Sequence, residues 1–323
     1  MSVSSNICIT AADGQTGHLI AELLLAENRF RSRVSSLTCL TMRPERCTHL
    51  AELGGHVVPH TLGDVDGLVS VLKAAAADTI ILIPPAHDSK AKISQELIRA
   101  AREVKVPNGV LLSMSAAGFA EKETQPRLRE FIQIEAEFMN SHGFPDVPGG
   151  HYPCIIRAGF YAENLLLCDK DVKKTGVLRL PIGETNQFAP VARADVALLT
   201  ASVAISEGPL GLSNLVRGQL ITITGPKLVS GPLLANEAKA AGVNLSFQDI
   251  SETEAKDMLA GADIDDTERE YLLEFYSLVR EGKTNYISTI PFSAVTGVQP
   301  VQPVDFFKPD DSSHKQKRRW LGK

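Results

Sequence analysis

The stretch that most restricts what this chain can fold into is ICITAADGQTGHLIAELLL at Ile7–Leu25. A short apolar run, Ile7–Thr10, meets a glycine-containing turn and then a segment whose Leu19, Ile20, Leu23 and Leu24 recur at helical spacing. A strand, a tight turn and a helix start in that order leave the first N–H groups of the helix unpaired and its positive end directed out of the turn. Such a place binds anions and suits a pyrophosphate. The spacing is Ala11-x-x-Gly14-x-x-Gly17, a GxxGxxG pattern with its first glycine replaced. Ala11, Asp13, Gly14, Gln15, Thr16 and Gly17 are therefore candidates for holding a dinucleotide, and the competing reading is a loop that only packs the helix on the strand.

Two residues of the loop are odd. Ala11 adds a methyl where the chain turns tightly, which is tolerable as long as its φ stays negative. Asp13 brings a carboxylate close to where a diphosphate would lie. That repels the ligand unless Asp13 caps the helix or points away.

Beyond the loop, apolar runs and helix-like stretches keep alternating up to Gly159. Strands are expected at Ile7–Thr10, Ser36–Met42, His56–His60, Thr79–Pro84, Val110–Ser115 and Cys154–Ala158, with a long helix between Glu121 and Asn140. The expected fold class is α/β, a doubly wound parallel Rossmann sheet over residues 1–159. After that, Pro and Gly punctuate the chain, and two helices are expected, Gly231–Ala241 and Asp266–Glu281. This reads as a smaller α+β substrate lobe over residues 160–311, with some segments returning to the sheet. The ending SSHKQKRRWLGK reads as a flexible basic tail over residues 312–323.

Composition narrows the partners. In 323 residues, 44% are hydrophobic and 22% charged, which excludes disordered and fibrous classes. The 33 basic and 38 acidic residues leave a net charge of −5, so no overall field favours nucleic acid or an anionic membrane. No window reaches the roughly 18 apolar residues of a membrane span, and no basic-then-apolar leader is visible. The five cysteines lack CxxC spacing, so neither a disulfide framework nor a metal site is expected. The expectation is a cytoplasmic protein whose partners are small molecules or proteins.

The end of the second strand selects between cofactors. An acidic residue there would hold the ribose diol of NAD, but the sequence reads Thr41-Met42-Arg43-Pro44, with Arg46 close behind. A guanidinium at Arg43 suits the 2′-phosphate of NADP(H), the alternative being an ordinary surface arginine.

Several stretches carry a wider resemblance: ITAADGQTGH, LTMRPERCTHLAELGGHVV, GDVDGLVSVL, LLSMSAAG, CIIRAGFYAEN, FAPVARADVALLTASV, LITITGPKLVS and VTGVQPVQPVDFF. In this order they resemble the NmrA-like branch of the atypical short-chain dehydrogenases. That group includes NADPH-dependent quinone reductases, isoflavone-reductase-like enzymes and cofactor-sensing regulators. The phosphate loop and SLTCLTMRPERC are also similar to fungal members of aromatic polyketide pathways, the averufin oxidase A-like proteins. The resemblance implies a nicotinamide near Pro84, Pro85, His87 and Lys90 after the fourth strand, Ser113 and Ser115 at the fifth, and Phe160, Tyr161 and Asn164 after the sixth.

Ordinary short-chain dehydrogenases use a Tyr-x-x-x-Lys pair as acid and base. Four residues after the five tyrosines come Ile156, Leu165, Phe275, Arg280 and Ile290, so no such pair exists. The lysine that isoflavone-reductase-like relatives place four residues before a glutamate is also missing, since Phe131 precedes Glu135. Candidate proton donors are His87, otherwise a solvated loop histidine, and Tyr161, otherwise an aromatic wall. The resemblance and the loop together imply an NADPH-dependent oxidoreductase acting on a quinone-like or polycyclic aromatic compound. Two alternatives stay open: a non-enzymatic NADP sensor that binds a partner protein, and a redox-neutral enzyme of secondary metabolism.

Overall fold

The computed structural model describes residues 5–141, 152–167, 172, 175–209, 211–262 and 264–307. Its residues form two compact units. The first takes in the described parts of Met1–Ser113, Gln133–Arg157 and Ala197–Ile221, the second those of Met114–Ile132, Ala158–Val196 and Thr222–Lys323. The basic tail and most of the Pro/Gly-rich segment GFPDVPGGHYP lie outside the described residues.

The first unit is built on β1 (Ser5–Ile9), β2 (Val34–Thr41), β3 (His56–Pro59), β4 (Thr79–Leu82), β5 (Asn108–Met114) and β6 (Cys154–Ala158). With β8 (Leu220–Ile223) they make a seven-stranded sheet in the order β3-β2-β1-β4-β5-β6-β8. The pairs β1–β2, β1–β4, β2–β3 and β4–β5 are parallel. Every residue of β4 is buried, as is β2 from Leu37 on, because a parallel sheet is covered on both faces. The helices of this unit are α1 (Gln15–Ala26), α2 (Asn28–Arg31), α3 (Thr48–Glu52), α4 (Val65–Ala74), α5 (Lys90–Val104) and, from Gln133 on, α6 (Pro126–Ser141), which begins in the second unit. The stripe Leu19, Ile20, Leu23 and Leu24 of α1 is buried as its spacing predicts. Leu68 and Leu72 of α4 join Ile93 and Leu97 of α5 and Leu82 of β4 in one core.

Strand order reverses at β1 and β4, which stand side by side although the chain visits β2 and β3 between them. In register, Ile9 faces Cys39 of β2 and Ile81 of β4. The carboxyl tips of these strands are therefore level, and the loops after β1, β2 and β4 leave one edge of the sheet at its switch point.

The second unit has a two-stranded parallel sheet of β7 (Val177–Leu180) and β9 (Ser246–Asp249). Its helices include α8 (Gly231–Ala240), α9 (Glu252–Ala260), α10 (Asp266–Arg280) and α11 (Ile290–Thr296), while α7 (Arg193–Ala204) runs from this unit into the first. Its core gathers Phe160, Phe188, Phe275 and Tyr276 with Leu178 and Leu180 of β7. Sequence periodicity located α8 and α10 but not α7, α9 and α11. In α7 the buried residues Val196, Ala197, Leu199, Ala201, Val203 and Ala204 leave no single apolar stripe to read. Strand limits move by a residue or two, with β4 ending at Leu82 rather than Pro84.

Candidate functional site

The loop after β1 is shaped by a backbone flip. Thr10 donates its N–H to Ile81 of β4, whereas Ala12 donates to Leu40 of β2 on the other side. In an extended strand the N–H groups of residues two apart point the same way, so Ala11 must reverse the chain. It does so with φ +49°, the left-handed region, and not with the negative φ that its methyl favours. The strain, roughly 1–2 kcal/mol, is carried by these flanking bonds and by the Gly14 N–H, which donates to the Ala11 oxygen at 3.0 Å. Gly17 follows in the first turn of α1, where a Cβ would collide with that same carbonyl oxygen. Loop and helix thus close on each other through Gly17.

Asp13 neither caps α1 nor points into solvent. The N-cap residue is Gly14, and no side chain caps it. By contrast Asp64, Ser230, Ser251 and Asp265 each accept an N–H at the start of α4, α8, α9 and α10. The first-turn amides of α1, over Gln15, Thr16 and Gly17, therefore stay available to an anion, which is what a dinucleotide's pyrophosphate requires of this loop. Asp13 turns instead to the tip of β2. Its Oδ1 accepts the Thr41 hydroxyl at 2.7 Å and its Oδ2 accepts Arg43 Nε at 2.7 Å. Thr41 Oγ1 in turn accepts the Arg43 backbone N–H at 3.0 Å. The side chain of Asp13 is 8% exposed and that of Arg43 46%. Burial pushes the Asp13 carboxyl up, but the hydrogen bonds from Thr41 and Arg43 and the charge of Arg43 outweigh it, leaving it below its usual range. The sequence reading set Asp13 near the diphosphate and Arg43 at the 2′-phosphate as separate groups; the structure joins them directly. Arg43 uses Nε for this pair and keeps its two Nη groups outside it.

After β4, Pro84 and Pro85 are half-buried in the loop that leads to α5. His87 Nδ1 accepts the Ser89 N–H at 3.0 Å, so the neutral imidazole carries its proton on Nε2. The same unit contains a second polar group at β5, β6 and α6. Glu135 accepts the Ser113 hydroxyl at 2.5 Å and receives Arg157 on both oxygens, at 2.8 and 2.6 Å. Glu135 and Ser113 are buried.

In the second unit, Ser115, Phe160, Phe188, Phe275, Thr284 and Tyr286 line one pocket. Phe160 is 1% exposed, its ring held between Phe188, Phe275 and Tyr276 with centroids 5.0–5.6 Å apart. Asn164 is buried as well, and its N–H donates to the Tyr161 oxygen. Tyr161 lies under the guanidinium of Arg193, 5.4 Å from the ring centroid. Both oxygens of buried Glu163 accept the Arg193 backbone N–H, at 2.9 and 3.1 Å. Thr41, the Glu135–Arg157 pair, Thr284 and Tyr286 were not singled out by the sequence for any binding role. Their partners are distant in sequence, and no local pattern marks them.

Comparisons with known proteins agree with this architecture. Residues 3–304 match the NmrA-like family. Among solved structures, the NADPH-dependent quinone oxidoreductase of Escherichia coli, complexed with NADPH, superposes with a TM-score of 0.75 at 22% identity, covering 93% of this chain and 98% of that one. The triphenylmethane reductase of Citrobacter sp., complexed with NADP(H), gives 0.75 at 18% identity, covering 93% and 99%. The leucoanthocyanidin reductase of Vitis vinifera gives 0.64 at 14% identity, covering 94% and 95%. No curated protein matches by sequence. No helix among the described residues is long and apolar enough to cross a membrane.

Proposed function

The chain belongs to the NmrA-like family, and from that premise we propose that it is an NADPH-dependent oxidoreductase of quinone-like or polycyclic aromatic small molecules. One observation carries this reading: the uncapped first turn of α1 stands beside an arginine anchored at the tip of β2. Together they offer amides for a pyrophosphate and a guanidinium for a 2′-phosphate. The reductases of Escherichia coli and Citrobacter sp. bind NADPH on the same fold, which supports the choice of cofactor.

When bound, a reduced nicotinamide supplies the hydride. The residues of this chain have the remaining tasks. Gly14 and Gly17 let the backbone approach the diphosphate and Arg43 takes the 2′-phosphate; in the same unit Pro84 and Pro85 are the nicotinamide candidates of the family resemblance, and Ser115, Phe160 and Asn164 are its candidates in the second unit. The void between the rings of Phe160, Phe188 and Phe275 is no larger than a water molecule, so the aromatic character of the substrate is drawn from the family resemblance. His87, with its proton on Nε2, and Tyr161 are the candidate donors to an oxyanion formed on the substrate. Reduction of a quinone needs little beyond positioning and such a donor, so a Tyr-x-x-x-Lys pair is not required. A role in fungal secondary metabolism fits the likeness to polyketide-pathway members.

The test is NADPH oxidation by the purified protein with a panel of quinones and polycyclic aromatic ketones. Substrate-dependent oxidation is expected, and a rate at background for every compound overturns the reading. Arg43→Ala weakens NADPH by roughly 1–3 kcal/mol in a direct binding measurement and leaves NADH nearly unchanged.

A further inference from the structure

We propose that Asp13 acts as a brake on cofactor selectivity, so that this chain takes NADH as well as NADPH; the inference rests on the dinucleotide reading of the β1 loop. A loop aspartate has been placed at the tip of β2, against Thr41 and Arg43, with Oδ1 and Oδ2 each accepting one hydrogen bond of 2.7 Å. A ligand at this tip feels that placement in two ways. First, the pair is neutral: an ionised Asp13 beside Arg43 cancels the charge that a 2′-phosphate would seek, and it occupies Nε, one of the donors used in bidentate phosphate contacts. Second, a carboxylate at the end of the second strand is the group that accepts a ribose diol, and here the glycine loop supplies it instead of β2. Arg43 favours the phosphate and Asp13 favours the diol.

A scaffold role for Asp13, holding Arg43 ready for phosphate, predicts the opposite sign on substitution. Against it stands a second hold on Arg43, whose backbone N–H donates to Thr41 Oγ1, so the residue stays at the tip of β2 when the Asp13 carboxylate is replaced. In Asp13→Asn the amide oxygen keeps an acceptor for the Thr41 hydroxyl, while the charge and the acceptor for Arg43 Nε are removed together.

The experiment is a direct measurement of NADPH and NADH dissociation constants for the native protein, Asp13→Asn and Asp13→Thr, with thermal melts to confirm folding. The native protein is expected to bind the two within about tenfold of each other. Asp13→Asn is expected to tighten NADPH by roughly 5–20-fold, the effect of removing one opposing charge beside the half-exposed guanidinium of Arg43, and to loosen NADH several-fold. Asp13→Thr gives the same direction should the amide variant fold poorly. An unchanged ratio, or NADPH weakened by either variant, overturns the brake while leaving the oxidoreductase reading intact. Failure of the native protein to bind either dinucleotide overturns both.

Discussion

Asp13 with Thr41 and Arg43, and Glu135 with Ser113 and Arg157, are the same three functional groups set into one unit of the molecule: a carboxylate, a hydroxyl and a guanidinium. They differ in two respects. Arg157 meets Glu135 with two parallel hydrogen bonds and is 21% exposed, whereas Arg43 meets Asp13 through Nε alone and is 46% exposed. A closed, two-point pair fixes its guanidinium in one orientation and locks β5, β6 and α6 together. A one-point pair at the surface leaves donors and mobility for something else. Chemistry of the residues alone does not separate staple from site; the number of contacts and the water around them do.

The contrast can be broken most sharply at Glu135. Glu135→Ala leaves a half-enclosed guanidinium and a buried hydroxyl without their acceptor, and a loss of about 3–5 kcal/mol in urea unfolding is expected. A loss below about 1 kcal/mol would erase the distinction. Arg157→Lys, which replaces the fork by a point charge, is expected to cost about 1–3 kcal/mol in the same measurement. Arg43→Ala should cost no more than about 1 kcal/mol of stability, since exposed pairs contribute little, although it weakens NADPH markedly. The smallest effect is in pH. Asp13 has a depressed pKa in the folded state, so its stabilising contribution is complete above its ordinary value of 3.8 and fades as pH falls through the folded value. The small stability deficit of Asp13→Asn is therefore full at neutral pH and shrinks in acid, as melts across that range will show.

The sheet was legible because its information is local. Runs such as Thr79–Leu82 and Cys154–Ala158 announce themselves by composition, and the amphipathic stripe of α1 by spacing. The strand–turn–helix path from β1 into α1 was legible for the same reason. What escaped was pairwise. The direction of Asp13 depends on Thr41, 28 positions away, which becomes its neighbour only when β1 and β2 lie side by side. Glu135 and Arg157 are 22 positions apart and meet through strand order. The sign of φ at Ala11 is likewise set by two hydrogen bonds to different strands, not by the methyl group.

That alanine has a kinetic side. Glycine in its place would relieve the left-handed strain but would give both the unfolded chain and the open loop more conformations to search. With alanine, the cost of the kink is borne once, when the sheet forms, rather than again at each arrival of a ligand. The loop is then set in its bent form by the same hydrogen bonds that close the sheet around it.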